Sequence, residues 1–192
     1  IPKDRVDWIP SEINTERFQP SEDEEARRRS ILFTGAICRN KGIDTLLGAC
    51  TILMRRGIDF ELRLVGRILL WERVWFKGAC AQADLGSRLH MTGTLGYEAL
   101  LNEYQTAGVF AFPSRFEGSP RSVREALACH TPAVVSEIPG HRGIDPEGQF
   151  LHFVAGHEPE EWADVLGAAL DEAQAPYQAR CEGGLNHMQT RH

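Results

Sequence analysis

The sequence predicts an α/β fold: a Rossmann-like parallel sheet, doubly wound with helices on both faces. Three observations carry this. Short apolar runs at 31–34, 109–112 and 133–136 read as strands buried on both sides. Segments with helical spacing alternate with them along most of the chain. Glycines follow several strands at the same end (Gly35, Gly66 and Gly93, with Gly118 in a later loop), where a backbone approaching a ligand needs no side chain.

Taken in order, residues 1–30 read as a linker or N-terminal extension, with Trp8, Ile9, Pro10, Ile13 and Phe18 followed by a charged run at 21–30. That run places acids first and arginines last, the order a helix dipole favours, and reads as a solvated connector. The domain proper spans 31–175. Its first strand, 31–34, is closed by Gly35. Ile43, Leu46, Leu47, Cys50, Leu53 and Met54 follow at helical spacing, and Gly57 is placed to end that helix. A strand at 60–65 is closed by Gly66. A less regular helix covers about 71–84, then a brief strand 89–91, a helix 98–107 and a strand 109–112.

The stretch 110–131 reads as a strand end, a polar loop and a helix. Ser119 is placed as the helix cap, with Pro120 at the first helical position. Val123, Ala126 and Leu127 then fall on one face. A strand at 133–136, a last short strand at 150–154 and an amphipathic helix at 158–173 complete the domain. Trp162, Val165, Leu166, Ala169 and Leu170 share one face of that last helix. Residues 176–192 read as a polar tail.

At 192 residues the chain has the size of one domain with extensions, enough to bury roughly 70% of its unfolded surface. A formal net charge of -6 weighs against a general nucleic-acid binder. The five cysteines (Cys38, Cys50, Cys80, Cys129 and Cys181) are odd in number and show no CxxC spacing. No disulfide framework or zinc site is expected, and a reducing cytoplasm is the expected compartment. The sequence contains no signal peptide and no apolar run able to span a bilayer. Membrane contact is therefore expected only through a missing portion. No GxGxxG is present, so a standard dinucleotide site is not expected.

The chemistry concentrates at 110–131. A helix that starts just after a strand directs unpaired N–H groups and its positive dipole end into the loop, which makes an anion site. Glu117 precedes that helix and Glu125 lies within it, seven residues apart. Carboxylates accept hydrogen bonds from vicinal hydroxyls. A phosphate flanked by two hydroxylated rings fits this arrangement, and a nucleotide sugar has that form. Spacing alone also fits a plain strand–loop–helix with two solvated glutamates.

Pro113-Ser114-Arg115-Phe116-Glu117-Gly118, with Glu125-Ala126-Leu127-Ala128-Cys129 and Thr131-Pro132, resembles the Glu–seven residues–Glu signature of the retaining glycosyltransferases of family 4, which have the GT-B fold. The resemblance covers about residues 9–175 and is strongest over 106–136; residues 13–20 look like the linker that enters the second domain there. It implies that the chain is the C-terminal, donor-binding half of a GT-B fold. The implied reaction transfers a hexosyl unit from a UDP- or GDP-sugar to an acceptor hydroxyl, keeping the anomeric configuration, without metal or cofactor. The acceptor site would lie in a missing N-terminal domain, so the isolated chain is expected to bind nucleotide without turnover.

By the same resemblance, Glu117 and Lys41 are the catalytic candidates. Glu117 would hold the donor sugar and Glu125 the ribose. Gly118, Ser119, Pro120 and Arg121 would line the sugar and phosphates, and Gly35 and Gly66 would border them. Leu95, in Thr92-Gly93-Thr94-Leu95, would pack on the base. The family's diphosphate clamp is an arginine directly after the first loop glycine and a lysine before the second. Lys41 matches, but Ala36 occupies the arginine's place, and Arg39 is the candidate replacement. Arg121 and Arg124 are expected to face water. Further departures fall at Arg67, His130 (a usual glycine) and Gly143 (a usual acid). They keep open a degenerate nucleotide-sugar binding module without catalysis, and behind it a plain interaction domain.

Overall fold

Ser30–Thr34 (β1), Val109–Phe112 (β4) and Ala133–Ser136 (β5) are buried at every residue, as strands covered on both faces must be. The structure, a computed structural model, describes residues 13–14, 17–21, 29–171 and 182. The remaining elements are Ile43–Arg55 (α1), Glu61–Val65 (β2), Arg73–Ala83 (α2), Leu89–Gly93 (β3), Tyr97–Thr106 (α3), Arg121–Ala128 (α4), Pro139–Arg142 (α5), His152–Val154 (β6) and Pro159–Asp171 (α6). The six strands form one parallel sheet in the order β3-β2-β1-β4-β5-β6. The order runs one way from β1 and then the other, the arrangement of a doubly wound Rossmann-like sheet.

The helices flank this sheet. α1 packs between α2 and α6, helped by Gly48, where a Cβ would lie 2.8 Å from Pro159. Trp162 of α6 is fully buried and its Nε1 donates to Gly156 O at 3.0 Å. Between β2 and α3, Arg63 and Glu103 form a two-pronged ion pair at 2.6 and 2.5 Å, with side chains only 16% and 8% exposed.

Three elements differ from the sequence expectation. The helix expected at 71–84 opens with a separate 3-10 turn, Leu70–Glu72, before α2. The last strand contracts to His152–Val154, because Phe150 N and Leu151 N donate to the buried Asp145 carboxylate at 2.7 and 2.8 Å instead of entering the sheet. α5 went unforeseen, since four residues are too few to show a helical period.

Part of the expected linker is packed rather than free. Phe18 is 7% exposed and meets Tyr97 and Tyr104 edge-on, at ring distances of 5.6 and 6.0 Å. Gln105 Nε2 donates to Gln19 O at 2.8 Å, so residues 17–20 lie along α3. Most of the charged run and nearly all of the tail, with Cys181, lie outside the described residues. Among the described residues Cys38, Cys50, Cys80 and Cys129 form no disulfide, and burial pushes the Cys50 thiol far up. No helix among the described residues is long and apolar enough to cross a membrane.

Candidate functional site

Strand order reverses between β1 and β4, and in open α/β sheets ligands sit in the crevice outside the strand carboxyl ends at that point. Two loops meet there. The turn Arg39–Lys41 follows β1, and residues 113–120 follow β4. Gly42, at φ +68, lets them touch: a Cβ would lie 1.9 Å from Pro113 O. Arg115 clips the loops together. Its guanidinium grips Asp44 at 3.0 and 2.9 Å and Arg39 O at 2.5 Å, and its N–H donates to Asn40 O at 2.9 Å. In the sequence Arg115 is marked only as part of the 113–118 motif. Its role needs Asp44, 71 residues away in sequence, so no local pattern reveals it.

The two expected catalytic residues stand together. Lys41 Nζ lies 2.5 Å from Glu117 Oε1, with side chains 22% and 12% exposed. Ser114 Oγ reaches the same oxygen at 2.6 Å, and the ammonium sits 5.3 Å from the Phe112 ring centre. Glu125 is held separately. Its Oε2 accepts from Tyr104 OH at 3.0 Å, and that hydroxyl is 2.6 Å from Thr34 Oγ1 at the end of β1. Both carboxylates are thus tied to the β1 end and its following loop, one through Lys41 and the other through Tyr104.

Burial raises the Glu125 carboxyl above its ordinary range, against the Tyr104 hydrogen bond and the Arg121 charge, which lower it. The folded protein therefore holds this proton more tightly than the unfolded chain. The associated stability is complete at acid pH and is lost as pH rises through the folded value. Glu125→Gln keeps an acceptor for Tyr104 and removes the buried charge. It is expected to raise Tm at neutral pH and flatten this part of the Tm–pH profile; melting curves across pH check it.

At the start of α4, two expectations need correction. The helix begins at Arg121 with Pro120 as its cap residue and no side-chain capping bond. Ser119 Oγ instead accepts from Arg124 Nη1 at 2.7 Å. Arg124 does not face water: it is 6% exposed, and burial lowers its hold on its proton. Arg121 is exposed. With no acid in the first turn and arginines near the positive dipole end, the charge pattern there suits an anion.

The other candidates are dispersed around this point. Gly35 and Gly66 both adopt φ +140, and a Cβ on Gly66 would lie 1.9 Å from Gly35 O. Their immediate reason is loop packed on loop, with Ile37 N donating to Arg67 O at 2.9 Å. Arg39 turns toward α2: its guanidinium sits 5.0 Å from the Trp75 ring centre and 3.7 Å from Glu72. Leu95 is half-buried against the core. Nothing lies within 4 Å of a Cβ on Gly118. His130 has φ +53, a left-handed conformation that explains why glycine suits its place.

α5 contributes a support the sequence did not reveal. A Cβ on Gly140 would lie 2.3 Å from Glu117 O, so α5 presses directly on the Glu117 backbone. His141, fully buried, donates from Nδ1 to Ser136 O at 2.7 Å. Burial holds that imidazole neutral, against the Ser136 carbonyl and Glu117 and with help from Lys41. Gly140→Ala is expected to keep the fold but displace Glu117. A crystal structure of the variant, beside a melting curve, checks the displacement of the Glu117 backbone.

Two clefts among the described residues, of about 740 Å³ between α1 and α2 and about 830 Å³ beside Arg17 and Tyr97, are not lined by Glu117 or Glu125. No group of three or more His, Cys, Asp or Glu suited to a metal occurs among the described residues.

A family model described as Glycosyl transferases group 1 matches residues 14–182. Curated relatives include D-inositol 3-phosphate glycosyltransferase 1 of Catenulispora acidiphila, 28% identical over 96% of this chain and 47% of its own length. The D-inositol 3-phosphate glycosyltransferase of Paenarthrobacter aurescens is 28% identical over 89% and 44%. The chain thus spans about half the length of the curated relatives it matches. Among solved structures, the C-terminal domain of a glycosyl transferase group 1 family protein (LpcC) from Francisella tularensis superposes with TM-score 0.80. Its identity is 16%, and the match covers 93% of this chain and 97% of that one. Sucrose-phosphate synthase from Thermosynechococcus elongatus gives TM-score 0.80 at 25% identity, covering 93% and 46%.

Proposed function

Because the chain belongs to the glycosyl transferases group 1 family, we propose that it is the donor-binding, C-terminal domain of a retaining, family 4 enzyme. The reaction is transfer of a hexosyl group from a UDP- or GDP-sugar to an acceptor hydroxyl. The observation that carries this reading is the pairing of Lys41 with Glu117 at 2.5 Å at the sheet's switch point, beside the uncapped α4 N-terminus and the Tyr104-held Glu125.

Each residue then has a role. The diphosphate takes the α4 N–H groups and the Lys41 ammonium. Glu117, released from Lys41, accepts hydroxyls of the donor sugar, and Glu125 accepts those of the ribose. As the diphosphate leaves, charge grows on its oxygens, and fixed donors aimed there lower the barrier. Metal is not needed in this scheme, and the cytoplasm, where nucleotide sugars are available, is the proposed compartment. The acceptor would be held by a further domain facing these loops, so the strand-end site is one wall of a cleft. A coverage of about half the relatives' length supports this.

The test is to titrate the chain with UDP- and GDP-sugars, following Tm and then transfer. A ligand that binds only the folded state raises Tm. The reading expects one nucleotide class to raise Tm, with no turnover until an acceptor-binding domain is present. A second reading, a binding module without catalysis, is favoured by Ala36 and by Arg39 lying over Trp75. It expects tight binding with neither hydrolysis nor transfer in the full-length protein. No binding of any nucleotide would leave a plain interaction domain.

A further inference from the structure

We propose that Leu70, Trp71 and Val74 form a membrane-contact patch that docks this domain on an anionic lipid surface. Their exposures are 72%, 78% and 87%, and the other large exposed hydrophobics among the described residues are Met91 and Phe116. Isolated exposed apolar residues are ordinary, but a contiguous group marks an interaction surface. These three lie together on the turn Leu70–Glu72 and the first turn of α2. Val74 also borders the cleft between α1 and α2, so the apolar surface continues past it.

Charge selects the occupant. Arg67, Arg73 and Lys77 flank the patch, all exposed. The one acid in this stretch, Glu72, is 9% exposed and lies 3.7 Å from Arg39. The exposed charges of this stretch are therefore all cations, and Asp44, which lines the same cleft as Val74, is half-exposed and paired with Arg115 at 2.9 Å. Tryptophan favours the headgroup level of a bilayer. Arginine and lysine extend their charged ends to lipid phosphates while their stems lie on apolar surface. A second copy fits poorly, because a two-fold contact would bring the same cations face to face. The patch places a membrane contact on this domain itself, where the sequence-based expectation left it to a missing portion. It does not depend on which nucleotide the strand-end site takes.

The test is flotation of the chain with vesicles of phosphatidylcholine, with and without phosphatidylglycerol. Binding is expected only with phosphatidylglycerol present and is expected to weaken as salt rises. Trp71→Ser should cut partitioning about tenfold, and Arg73→Gln or Lys77→Gln about fivefold each. Unchanged melting curves would show the variants folded. Absence of binding, equal binding to neutral vesicles, or binding indifferent to Trp71→Ser would overturn the proposal. So would a concentration-dependent dimer that Trp71→Ser abolishes.

Discussion

Lys41→Ala is expected to lower sugar transfer by the full-length protein by about 10²–10³-fold and to remove most of the Tm increase given by a nucleoside diphosphate sugar. The Lys41 ammonium is 2.5 Å from Glu117 Oε1, where it pairs with a carboxylate only 12% exposed. An arriving diphosphate offers two negative charges to the same ammonium. In the proposed function lysine then serves phosphate, and Glu117 is freed for sugar hydroxyls. The pair thus keeps both groups in place and uncommitted until the donor arrives. Glu117→Gln separates the two roles. It leaves Lys41 for the phosphates, so nucleotide binding is expected to survive while transfer falls. Isothermal titration with nucleoside diphosphate, beside steady-state kinetics, distinguishes the variants. Equal nucleotide affinity for wild type and Lys41→Ala would contradict this account.

Glu103→Ala is expected to produce the largest loss of stability without touching the site. Arg63 and Glu103 are paired two-pronged, at 2.6 and 2.5 Å, where neither side chain is more than 16% exposed. The Glu103 hydrogen bonds raise the Arg63 guanidinium further above its ordinary range, against the opposing effect of burial. Removing one partner of a buried pair leaves a charge uncompensated and costs about 3–5 kcal/mol. In a domain of this size each kcal/mol moves Tm by about 2–4 °C, so a fall of roughly 6–20 °C is expected by calorimetry. Glu61, 3.8 Å from Arg63 and half-exposed, places the loss toward the lower end. Glu103→Gln keeps one acceptor and should lose less. The exposed Arg56 pairs with Asp164 and Glu160 are the control, since surface ion pairs contribute little.

Much of the fold was legible because parallel strands and amphipathic helices write their burial into local periodicity. β4 and β5 fall at the expected residues, and α1, α2, α3 and α6 within two residues of expectation at the N-terminal end. What escaped depends on long-range contacts. Asp145 captures the N–H groups of Phe150 and Leu151 and shortens the last strand, which no window of apolar residues foretells. α5 is a single turn fixed by its packing on Glu117.

The site shows the same division. The sequence singles out Glu117 and Glu125 by a motif whose spacing sets a strand end, a loop and a helix start, and Lys41 by the family resemblance of the loop after β1. It does not single out their partners. Tyr104 is unmarked within the predicted helix 98–107, yet its hydroxyl joins Thr34 to Glu125. Arg124 read as a solvated charge at a helix start, yet it is buried against Ser119. In each case the informative atom is a polar group whose partner lies on another element, and sequence pattern does not pair elements.

The most direct measurement is a crystal structure of this chain with a bound nucleoside diphosphate. The account predicts ribose hydroxyls on Glu125, diphosphate oxygens at the α4 N-terminus, and Lys41 Nζ moved from Glu117 to phosphate. A nucleotide bound elsewhere, with the Lys41–Glu117 pair intact and Glu125 contacting only Tyr104, would contradict it.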